Sequence, residues 1–223
     1  MTAKCQSPLT PWLQTGRIKT RFLGRQIPYS DGMQAMREAI AQIETLGNQI
    51  LFLEHADTIT VTRQHGTRSL LMPKSELEKR HIRLEETDRG GDATYHGNGQ
   101  LVGYPILRLP ASMGVCDYVR RLELALIKAC ETFGVRNLNR KSGKTGIWVE
   151  DRKLIAIGVG VSRHVTKHGF ALNLNTNLER FLECLTPCGL VGYGVTSLER
   201  ELGHCPSFEE AIQVLSWHLQ SIC

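Results

Sequence analysis

A pair of apolar segments in the second half of the chain restricts the folds that are open to it. Residues 147–150 and 153–162 flank the polar pair Asp151 and Arg152, and this spacing predicts a tight β-hairpin. The longest unbroken run of apolar residues and glycine, Leu154 to Val161, has eight residues, whereas a membrane-spanning helix needs roughly 20. Antiparallel strands are therefore expected, and a membrane-spanning helix is not.

The remaining periodic segments alternate irregularly between helical and strand-like spacing. The predicted helices cover residues 33–46, with Ser30 as N-cap and Gly47 at the end, residues 118–133, ended by Gly134, and the segment after the capping box of Ser207 and Glu210. The predicted strands cover residues 49–54, 57–63, 82–86, 101–109 and 167–173. Pro105 places its strand at a sheet edge or a bulge. Strands that come in runs and hairpins favour an α+β fold with a mixed, mainly antiparallel sheet flanked by helices.

Length and composition predict one globular domain. The chain has 223 residues, of which 41% are hydrophobic and 22% charged, and neither an internal repeat nor a long Pro/Gly/Ser linker divides it. A single domain over residues 1–223 is expected, with residues 1–15 as a loosely ordered N-terminal segment. Those residues lack the apolar core of a signal peptide and the Arg-rich pattern of a transit peptide, which predicts a cytoplasmic protein.

The cysteines predict free thiols rather than disulfides or a metal site. There are seven of them, an odd number without paired spacing, which is typical of a reducing compartment. Cys184 and Cys188 are four residues apart, but no second Cys or His pair stands at zinc-site spacing. The sequence therefore gives no support for a structural zinc.

Positive charge is concentrated in residues 136–168. The whole chain carries a net charge of +5, and this segment holds eight basic residues against Glu150 and Asp151. The basic residues are Arg136, Arg140, Lys141, Lys144, Arg152, Lys153, Arg163 and Lys167. Such a segment suits a phosphate, a nucleic acid or an acidic protein partner, and equally a solvated surface without a partner. A nucleic-acid footprint is disfavoured because no aromatic residues other than Trp148 and Phe170 are interleaved with these charges.

Two glycine-containing segments resemble nucleotide-binding motifs and fail on one residue each. Residues 142–145 end like a P-loop, but the position of its first glycine is Leu138. Residues 158–163 begin like a dinucleotide-binding turn, but they end in Arg163 and lie inside a predicted strand. Neither Walker-type ATP binding nor a Rossmann site is expected.

The densest cluster of chemically useful residues is the segment from Arg89 to Gln100. It contains four glycines, two hydroxyl side chains, Arg89 and His96 within twelve residues, between two predicted strands. Glycines let the backbone approach a ligand and offer their N–H groups, while Arg89 and His96 supply polar side chains for a substrate. A long glycine turn without a ligand is the alternative.

Three sequence motifs stand in one order between residues 50 and 200: RGGDATYHGNGQLVGYPILRL, then KLIAIGV with HGFALN, then TPCGL followed by VTSL. Together they resemble the lipoyl(octanoyl) transferase family, which is related to the lipoate and biotin ligases. The resemblance implies the α+β catalytic domain of biotin and lipoate protein ligases. It implies transfer of an octanoyl group from octanoyl-acyl carrier protein to a lysine of the lipoyl domains of 2-oxoacid dehydrogenases and of the glycine-cleavage H protein, the first step of endogenous lipoate synthesis. It implies no cofactor, whether metal or ATP, and neither nucleic acid nor membrane as a partner.

The resemblance also assigns site residues. Cys188 matches the cysteine that carries the acyl thioester, and Lys153 matches the lysine that tunes it. The matching substrate-binding positions are Arg89, Gly90, Gly91, Asp92, Ala93, Thr94, Tyr95, His96, Ala156, Ile157, Gly158, Gly169, Phe170 and Ala171. Family members often have a proline where this chain has Asn98, which leaves the order of the substrate loop open.

Acyl transfer explains why a cysteine and a lysine are needed. An ordinary thiol with a pKa of about 8.5 is mostly protonated at pH 7, and a nearby ammonium lowers that pKa. The acceptor amine must lose a proton, for which Lys153 and His96 are both candidates. Three other functions remain open: an ATP-dependent lipoate-protein ligase, a thiol-dependent acyl hydrolase, and a carrier-binding module without catalysis.

Overall fold

The structure is a computed structural model that describes residues 13–14, 17–185 and 192–222. Cys188 and most of the N-terminal segment 1–15 lie outside these ranges. The strands are β1 (Leu13–Gln14), β2 (Lys19–Phe22), β3 (Gln49–Leu53), β4 (Thr58–Thr62), β5 (Arg83–Thr87), β6 (Thr94–His96), β7 (Gln100–Ile106), β8 (Leu138–Lys141), β9 (Lys144–Val149), β10 (Arg152–Ser162), β11 (Val165–Asn173) and β12 (Gly194–Val195). The helices are α1 (Tyr29–Ala41), α2 (Ile43–Leu46), α3 (Lys74–Lys79), α4 (Val115–Thr132), α5 (Leu178–Cys184), α6 (Leu198–Leu202) and α7 (Phe208–Leu219).

A large mixed sheet forms the centre of the described part. Its strands lie in the order β1-β2-β3-β7-β11-β10-β9-β8, and β12 pairs with β10. Most neighbours are antiparallel, while β2–β3 and β10–β12 are parallel. A smaller sheet has the order β5-β4-β6. The expected α+β fold with a mixed, mainly antiparallel sheet is confirmed.

Helices cover both faces of the large sheet because successive strand residues point to opposite sides. Ile50, Phe52, Phe170 and Leu172 face α4 and α7 and form the larger core. Val102, Tyr104 and Ala171 point the other way, toward α1. No helix within the described ranges has the length and apolar character needed to cross a bilayer.

The predicted β-hairpin is confirmed as β9 and β10, with its turn one residue earlier than expected. Glu150 and Asp151 form the turn, Glu150 has a φ of +54°, and Arg152 already begins β10. Ser207 is confirmed as the N-cap of α7, since its Oγ accepts a hydrogen bond from the N–H of Glu210 at 3.1 Å, which is one of the two bonds of the predicted capping box. The predicted strands at 49–54 and 57–63 exist, but they belong to different sheets.

Two predictions about prolines and caps are wrong. Pro28 rather than Ser30 precedes the first helix, because the fixed φ of proline suits a helix start, and the helix is interrupted at Gln42 before it ends at Gly47. Pro105 lies in β7, which is flanked on both sides rather than at an edge. Proline is tolerated there because the ladder between β7 and β11 ends at Gly103, two residues before it.

Candidate active site

A cavity of about 380 Å³ lies on the α1 side of the large sheet. Its floor consists of residues that alternate along three adjacent strands: Ala156 and Gly158 of β10, Gly169 and Ala171 of β11, and Val102 and Tyr104 of β7. Ala156 is the cross-strand neighbour of Ala171, which in turn neighbours Val102. Small side chains at neighbouring positions leave the space open. Ile157 and Phe170 also border the cavity, although they belong to the core on the opposite face.

Two glycines of the floor permit close backbone contacts. A Cβ on Gly158 would lie 2.7 Å from the carbonyl oxygen of Gly90, and one on Gly169 would lie 2.1 Å from that of Gly103. Such distances are far inside van der Waals contact. Glycine at these positions therefore allows the loop after β5 to cover β10, and β11 to pass beside β7.

The loop from Arg89 to Thr94 covers the floor, and hydrogen bonds to neighbouring strands and to Ser69 fix its position. The guanidinium of Arg89 donates to Oγ1 of Thr60 at 2.9 Å and to the carbonyl of Gly90 at 3.0 Å. The N–H of Gly90 donates to the carbonyl of Val159 at 2.9 Å, and Asp92 accepts from Oγ of Ser69 at 2.6 Å. Arg89, predicted to contact substrate, thus lines the cavity and also ties the loop to β4.

Twelve of the fourteen predicted substrate-binding residues line the cavity, and Gly90 and Tyr95 do not. Gly90 instead fixes the loop to β10 through the hydrogen bond from its N–H to the carbonyl of Val159. Tyr95 points to the opposite side of β6, where its ring packs 5.7 Å from that of Phe181 and its hydroxyl donates to Asp57 at 3.0 Å. The period of two along β6 places Tyr95 on the side of the strand opposite to Thr94 and His96, and the sequence itself contains this signal.

The loop end at Asn98 is held by neighbouring charged residues. The N–H of Gly99 donates to the carboxylate of Glu54 at 2.9 Å, and Arg25 bridges Glu54 at 3.0 Å and Oδ1 of Asn98 at 3.2 Å. Glu54 is completely buried. These contacts anchor the turn at Asn98, where the absence of a proline had left the order of the loop an open question.

Lys153 lies at one end of the cavity with Lys144 and Thr145 of β9. The side chain of Lys153 is buried, with Nζ 4.6 Å from the centre of the Trp148 ring and 3.4 Å from the carbonyl of Thr145. The register between β9 and β10 shifts directly after Lys153, and such a bulge re-aims side chains. Lys144 donates to the hydroxyl of Tyr193 at 2.7 Å.

The opposite end is formed by aromatic and histidine side chains that the sequence did not indicate as site residues. Tyr29, Tyr104 and His168 line it together with His96. Behind them, Nδ1 of His55 donates to the carbonyl of Ile27 at 3.1 Å, so its Nε2 accepts from the Tyr104 hydroxyl at 2.6 Å. Burial lowers the pKa of His55 to about 4 and that of His96 well below its usual value. Both rings are neutral at pH 7.

His168 is held by an acidic partner. Its Nε2 lies 2.6 Å from Oδ1 of Asp88, and Lys167 pairs with the same carboxylate. The hydrogen bond from Lys167, followed by that from His168, lowers the pKa of Asp88 to about 2. These contacts fix the position of the His168 ring at this end of the cavity.

The segment that contains Cys188 is bounded by two fixed ends. The carbonyl of Cys184 accepts from the N–H of Leu71 at 2.9 Å, and Leu185 bridges to Leu70. After the segment, β12 pairs in parallel with Arg152 and Lys153. The chain therefore returns directly beside the lysine at the cavity end.

The basic segment 136–168 is partly neutralised by carboxylates. Its ion pairs join Arg140 to Glu123 at 3.6 Å, Lys141 to Asp151 at 2.6 Å, Arg152 to Glu201 at 3.2 Å, and Lys167 to Asp88. Lys144 and Lys153 both reach the cavity. Within the described ranges, no three Cys, His, Asp or Glu side chains are grouped as metal ligands would be.

Comparison with known proteins identifies close relatives. Residues 28–220 match the family described as the lipoyl protein ligase A/B catalytic domain. The chain is 42% identical over 196 residues to an octanoyltransferase of Acidobacterium capsulatum, covering 81% of this chain and 78% of that protein. It is 40% identical over 206 residues to an octanoyltransferase of Bacteroides fragilis, covering 86% and 92% respectively.

Solved structures share the fold at low sequence identity. A bipartite lipoate protein ligase of Thermoplasma acidophilum has a TM-score of 0.72 at 16% identity, covering 93% of this chain and 83% of that one. A lipoate-protein ligase A bound with ATP has a TM-score of 0.71 at 15% identity, covering 94% and 85%. A biotin protein ligase of Aquifex aeolicus has a TM-score of 0.57 at 12% identity, covering 91% and 69%. The predicted relation to the ligase fold is confirmed.

Proposed function

Because the chain belongs to the lipoyl protein ligase A/B catalytic domain family, we propose that it moves its acyl group through a thioester on Cys188, with Lys153 beside the sulfur. The enzyme is an acyltransferase that transfers octanoyl groups for protein lipoylation, as its relatives at about 40% identity are octanoyltransferases. Lipoyl domains are the acceptors that this family implies. The donor we propose is octanoyl-acyl carrier protein.

Chain connectivity supports the pairing of Cys188 with Lys153, and this is the observation that carries the proposal. Cys188 follows Leu185 by three residues and precedes Gly194 by six in the sequence. Leu185 is anchored to Leu70, and the chain next pairs with Lys153 itself through β12. The described residues on both sides of this short segment are fixed, and those after it pair with Lys153, which supports the assignment of Cys188 as the partner of Lys153.

The other cysteines, where the structure describes them, are poor alternatives to Cys188 as the nucleophile. None of Cys116, Cys130, Cys184 and Cys205 lines the cavity. Burial raises the pKa of Cys130 to about 12 and also raises those of Cys184 and Cys205, which disfavours a thiolate. Cys116 is exposed at the start of α4.

The first chemical step forms the enzyme thioester. The Lys153 ammonium stabilises the Cys188 thiolate, which attacks the carbonyl carbon of the donor thioester. A new C–S bond forms, the donor C–S bond breaks, and the departing carrier thiolate takes a proton from Lys153. This leaves octanoyl-Cys188, a free carrier thiol and a neutral Lys153 amine.

The second step passes the acyl group to the acceptor lysine. Neutral Lys153 takes a proton from the acceptor ammonium, and the resulting amine attacks the thioester carbonyl. The C–S bond breaks to regenerate the thiolate, and the second amine proton leaves to solvent as the amide forms. We assign the base to Lys153 rather than His96 because burial lowers the pKa of His96 well below its usual value, which makes it a weak base, and because His96 packs against Tyr29 and His55 at the other end of the cavity.

The cavity has the dimensions of a medium-length acyl chain. Ala156 on β10 and Val102 on β7 are in register through Ala171 of β11, so the floor is two interstrand spacings, about 10 Å, wide at this point. The floor of alanine, glycine and valine offers apolar contact, worth about 0.8 kcal/mol for each methylene it buries. An octanoyl chain with its thioester near Lys153 would end among Tyr29 and Tyr104.

One mixing experiment tests the proposed function. The enzyme is incubated with octanoyl-acyl carrier protein, without ATP, and its intact mass is measured. We expect the mass to increase by one octanoyl group, and the group to move to a lipoyl domain added afterwards. Cys188→Ser should lose both events, whereas Cys116→Ser, which changes an exposed cysteine outside the cavity, should retain both.

The same experiment separates the alternatives. A lipoate-protein ligase would need free acid and ATP and would transfer without Cys188. A thiol-dependent hydrolase would release octanoate in the presence of the lipoyl domain, and a carrier-binding module would gain no mass. Normal transfer by Cys188→Ser would disprove the thioester mechanism.

A further inference from the structure

A chain of buried hydrogen bonds joins the three motifs that run through this sequence. Nδ1 of His96 lies 2.8 Å from Oε1 of Gln100. Nε2 of Gln100 donates to Oδ1 of Asn173 at 3.0 Å, and Nδ2 of Asn173 donates to the carbonyl of Thr196 at 2.9 Å. The N–H of Thr196 then donates to the carbonyl of Lys153 at 2.9 Å. All five residues are buried.

The chemistry of the donor and acceptor groups fixes the direction of each hydrogen bond in this series. Gln100 also donates through Nε2 to the carbonyl of Tyr95 at 3.1 Å, and a carbonyl can only accept. Both Nε2 of Gln100 and Nδ2 of Asn173 are therefore correctly placed as donors. Oε1 of Gln100 must accept, so the neutral ring of His96 carries its proton on Nδ1. In this series of hydrogen bonds, no donor can exchange its role with an acceptor.

Asn173 stands where two strands succeed each other along one edge of β10. The ladder between β10 and β11 ends at the pair Ile155 and Leu172, one residue before Asn173. The same edge of β10 is then taken over by β12, which pairs with Arg152 and Lys153. Asn173, the last residue of β11, spans the junction through its bond to Thr196.

Thr196 is the point at which β12 is attached. Its N–H, carbonyl and hydroxyl are all used, by Lys153, Asn173 and Glu201 respectively, and Glu201 also pairs with Arg152 at 3.2 Å. The two-residue strand β12 has few ladder hydrogen bonds of its own. Its position beside Lys153 therefore depends on these side-chain contacts.

We propose that Asn173 is a positioning residue for acyl transfer, which holds β12 against the Lys153 end of β10 and links it through Gln100 to the cavity. This inference rests on the proposed function, because it assigns to Asn173 the alignment of Lys153 with the nucleophile. Asn173 does not touch the acyl group. Its removal should loosen the junction and weaken the influence of the Lys153 ammonium on the thiol.

The test uses Asn173→Ser, which is uncharged and too short to bridge Gln100 and Thr196, with Asn175→Ser as the matched control. Asn175 lies two residues further along the chain and is exposed. The alkylation rate of Cys188 is followed against pH by peptide mass spectrometry, together with octanoyl transfer and the thermal midpoint. In Asn173→Ser we expect the pKa of Cys188 to rise by about one unit, with alkylation at pH 7 and kcat lowered about tenfold. The control should match the wild type.

The outcomes distinguish this inference from the proposed function. A wild-type pH profile in a folded Asn173→Ser overturns the positioning role alone. Normal transfer by Cys188→Ser, or an ordinary thiol profile for Cys188 in the wild type, overturns the proposed function and this inference with it. If Asn173→Ser does not fold, Asn173→Asp is measured instead, since it keeps the acceptor for Gln100 and loses the donor to Thr196. Failure of both variants to fold makes Asn173 a stability residue and overturns the proposal.

Discussion

Lys153 is placed to act as a cation in a largely apolar setting. Its Nζ lies over the face of Trp148 at 4.6 Å, and the Trp148 side chain is completely buried. The negative face of an indole ring attracts an ammonium. Lys141 approaches the same ring at 5.7 Å, but its Nζ pairs with Asp151 at 2.6 Å. The two lysines therefore provide a natural comparison.

Replacing Lys153 should change the acidity of Cys188. We expect Lys153→Ala to raise the pKa seen in the alkylation of Cys188 by one unit or more, because the stabilising charge is lost. Lys153→Arg should keep a low alkylation pKa but lose most of the transfer, since a guanidinium does not release its proton at neutral pH. Lys141→Ala should leave both properties unchanged. Equal alkylation profiles in the wild type and Lys153→Ala would disprove the electrostatic role.

At the scale of elements, the cavity depends on the contact between the loop after β5 and strand β10. A Cβ at Gly158 would meet the carbonyl of Gly90 at 2.7 Å and Cδ of Arg89 at 2.9 Å. A Cβ at Gly160, two residues further along the same strand, would meet the side chain of Lys167, with Cε at 2.7 Å and Cγ at 3.1 Å, and no backbone atom among its nearest neighbours. Backbone cannot move away as easily as a flexible lysine.

The two glycines should therefore respond differently to alanine. Gly158→Ala is expected to displace the covering loop, at a cost of about 1–3 kcal/mol of unfolding free energy, and to lower kcat/KM for the octanoyl donor at least tenfold. Gly160→Ala should have close to wild-type kinetics. Urea denaturation and steady-state kinetics on both variants provide the measurement, and equal activity losses would contradict the assigned role of the loop contact.

The β8–β9 hairpin brings positive charge to the cavity entrance. Lys144 lines the cavity, while Arg163 lies in the turn after β10, ten residues from Lys153 along the strand. That separation is about 33 Å, several times the Debye length of about 10 Å at 0.1 M salt. A charge at Lys144 can guide an acidic carrier to the site, whereas a charge at Arg163 is screened from it.

Charge reversal should have different kinetic effects at Lys144 and Arg163. Lys144→Glu is expected to lower kcat/KM for octanoyl-acyl carrier protein several-fold at low salt and to weaken its decrease with rising salt. Arg163→Glu makes the same change in net charge and should retain the wild-type salt dependence. A small neutral octanoyl thioester as donor serves as a second control. Kinetics independent of salt in the wild type would show that the basic hairpin does not guide the carrier.

At the scale of the whole molecule, buried neutral histidines make stability depend on pH. His55 connects the loop after β3 to Tyr104 of β7 and to Ile27 before α1. Its folded pKa of about 4 lies below the usual value of 6.5, so the unfolded chain binds one more proton between these values. The stability contributed by neutral His55 is complete above pH 6.5 and is lost as the pH falls toward 4.

Acidification should therefore destabilise the protein before its carboxylates titrate. We expect His55 to contribute up to about 3 kcal/mol to the decrease in unfolding free energy between pH 6.5 and pH 4. His55→Gln should be less stable than the wild type at pH 7 but should show a flatter pH profile in that window. His204→Gln, which changes an exposed histidine, should follow the wild-type curve. Parallel curves for wild type and His55→Gln would contradict the prediction.

Local patterns in the sequence were sufficient for many of the elements. The spacing of apolar residues predicted α4, the hairpin of β9 and β10, and the strand β11, because a helix or strand that buries one face must repeat its apolar residues with its own period. The capping box at Ser207 is likewise a contact over three residues. Most residues that line the cavity were identified by motif resemblance, whereas Tyr95, which the same resemblance included, does not line it.

Tertiary structure alone decided which of these elements meet. Tyr29 and Tyr104 close the cavity because α1 covers the face of β7, and Pro105 fits in a flanked strand because the pairing of β7 with β11 is interrupted after Gly103 and resumes at Arg108. Gln100 and Asn173 are 73 residues apart in the chain yet share a hydrogen bond. Periodicity indicates which face of its own helix or strand a residue occupies. The partner on that face is set by strand order and register, which depend on burying all the apolar faces together and so exist only in the folded chain.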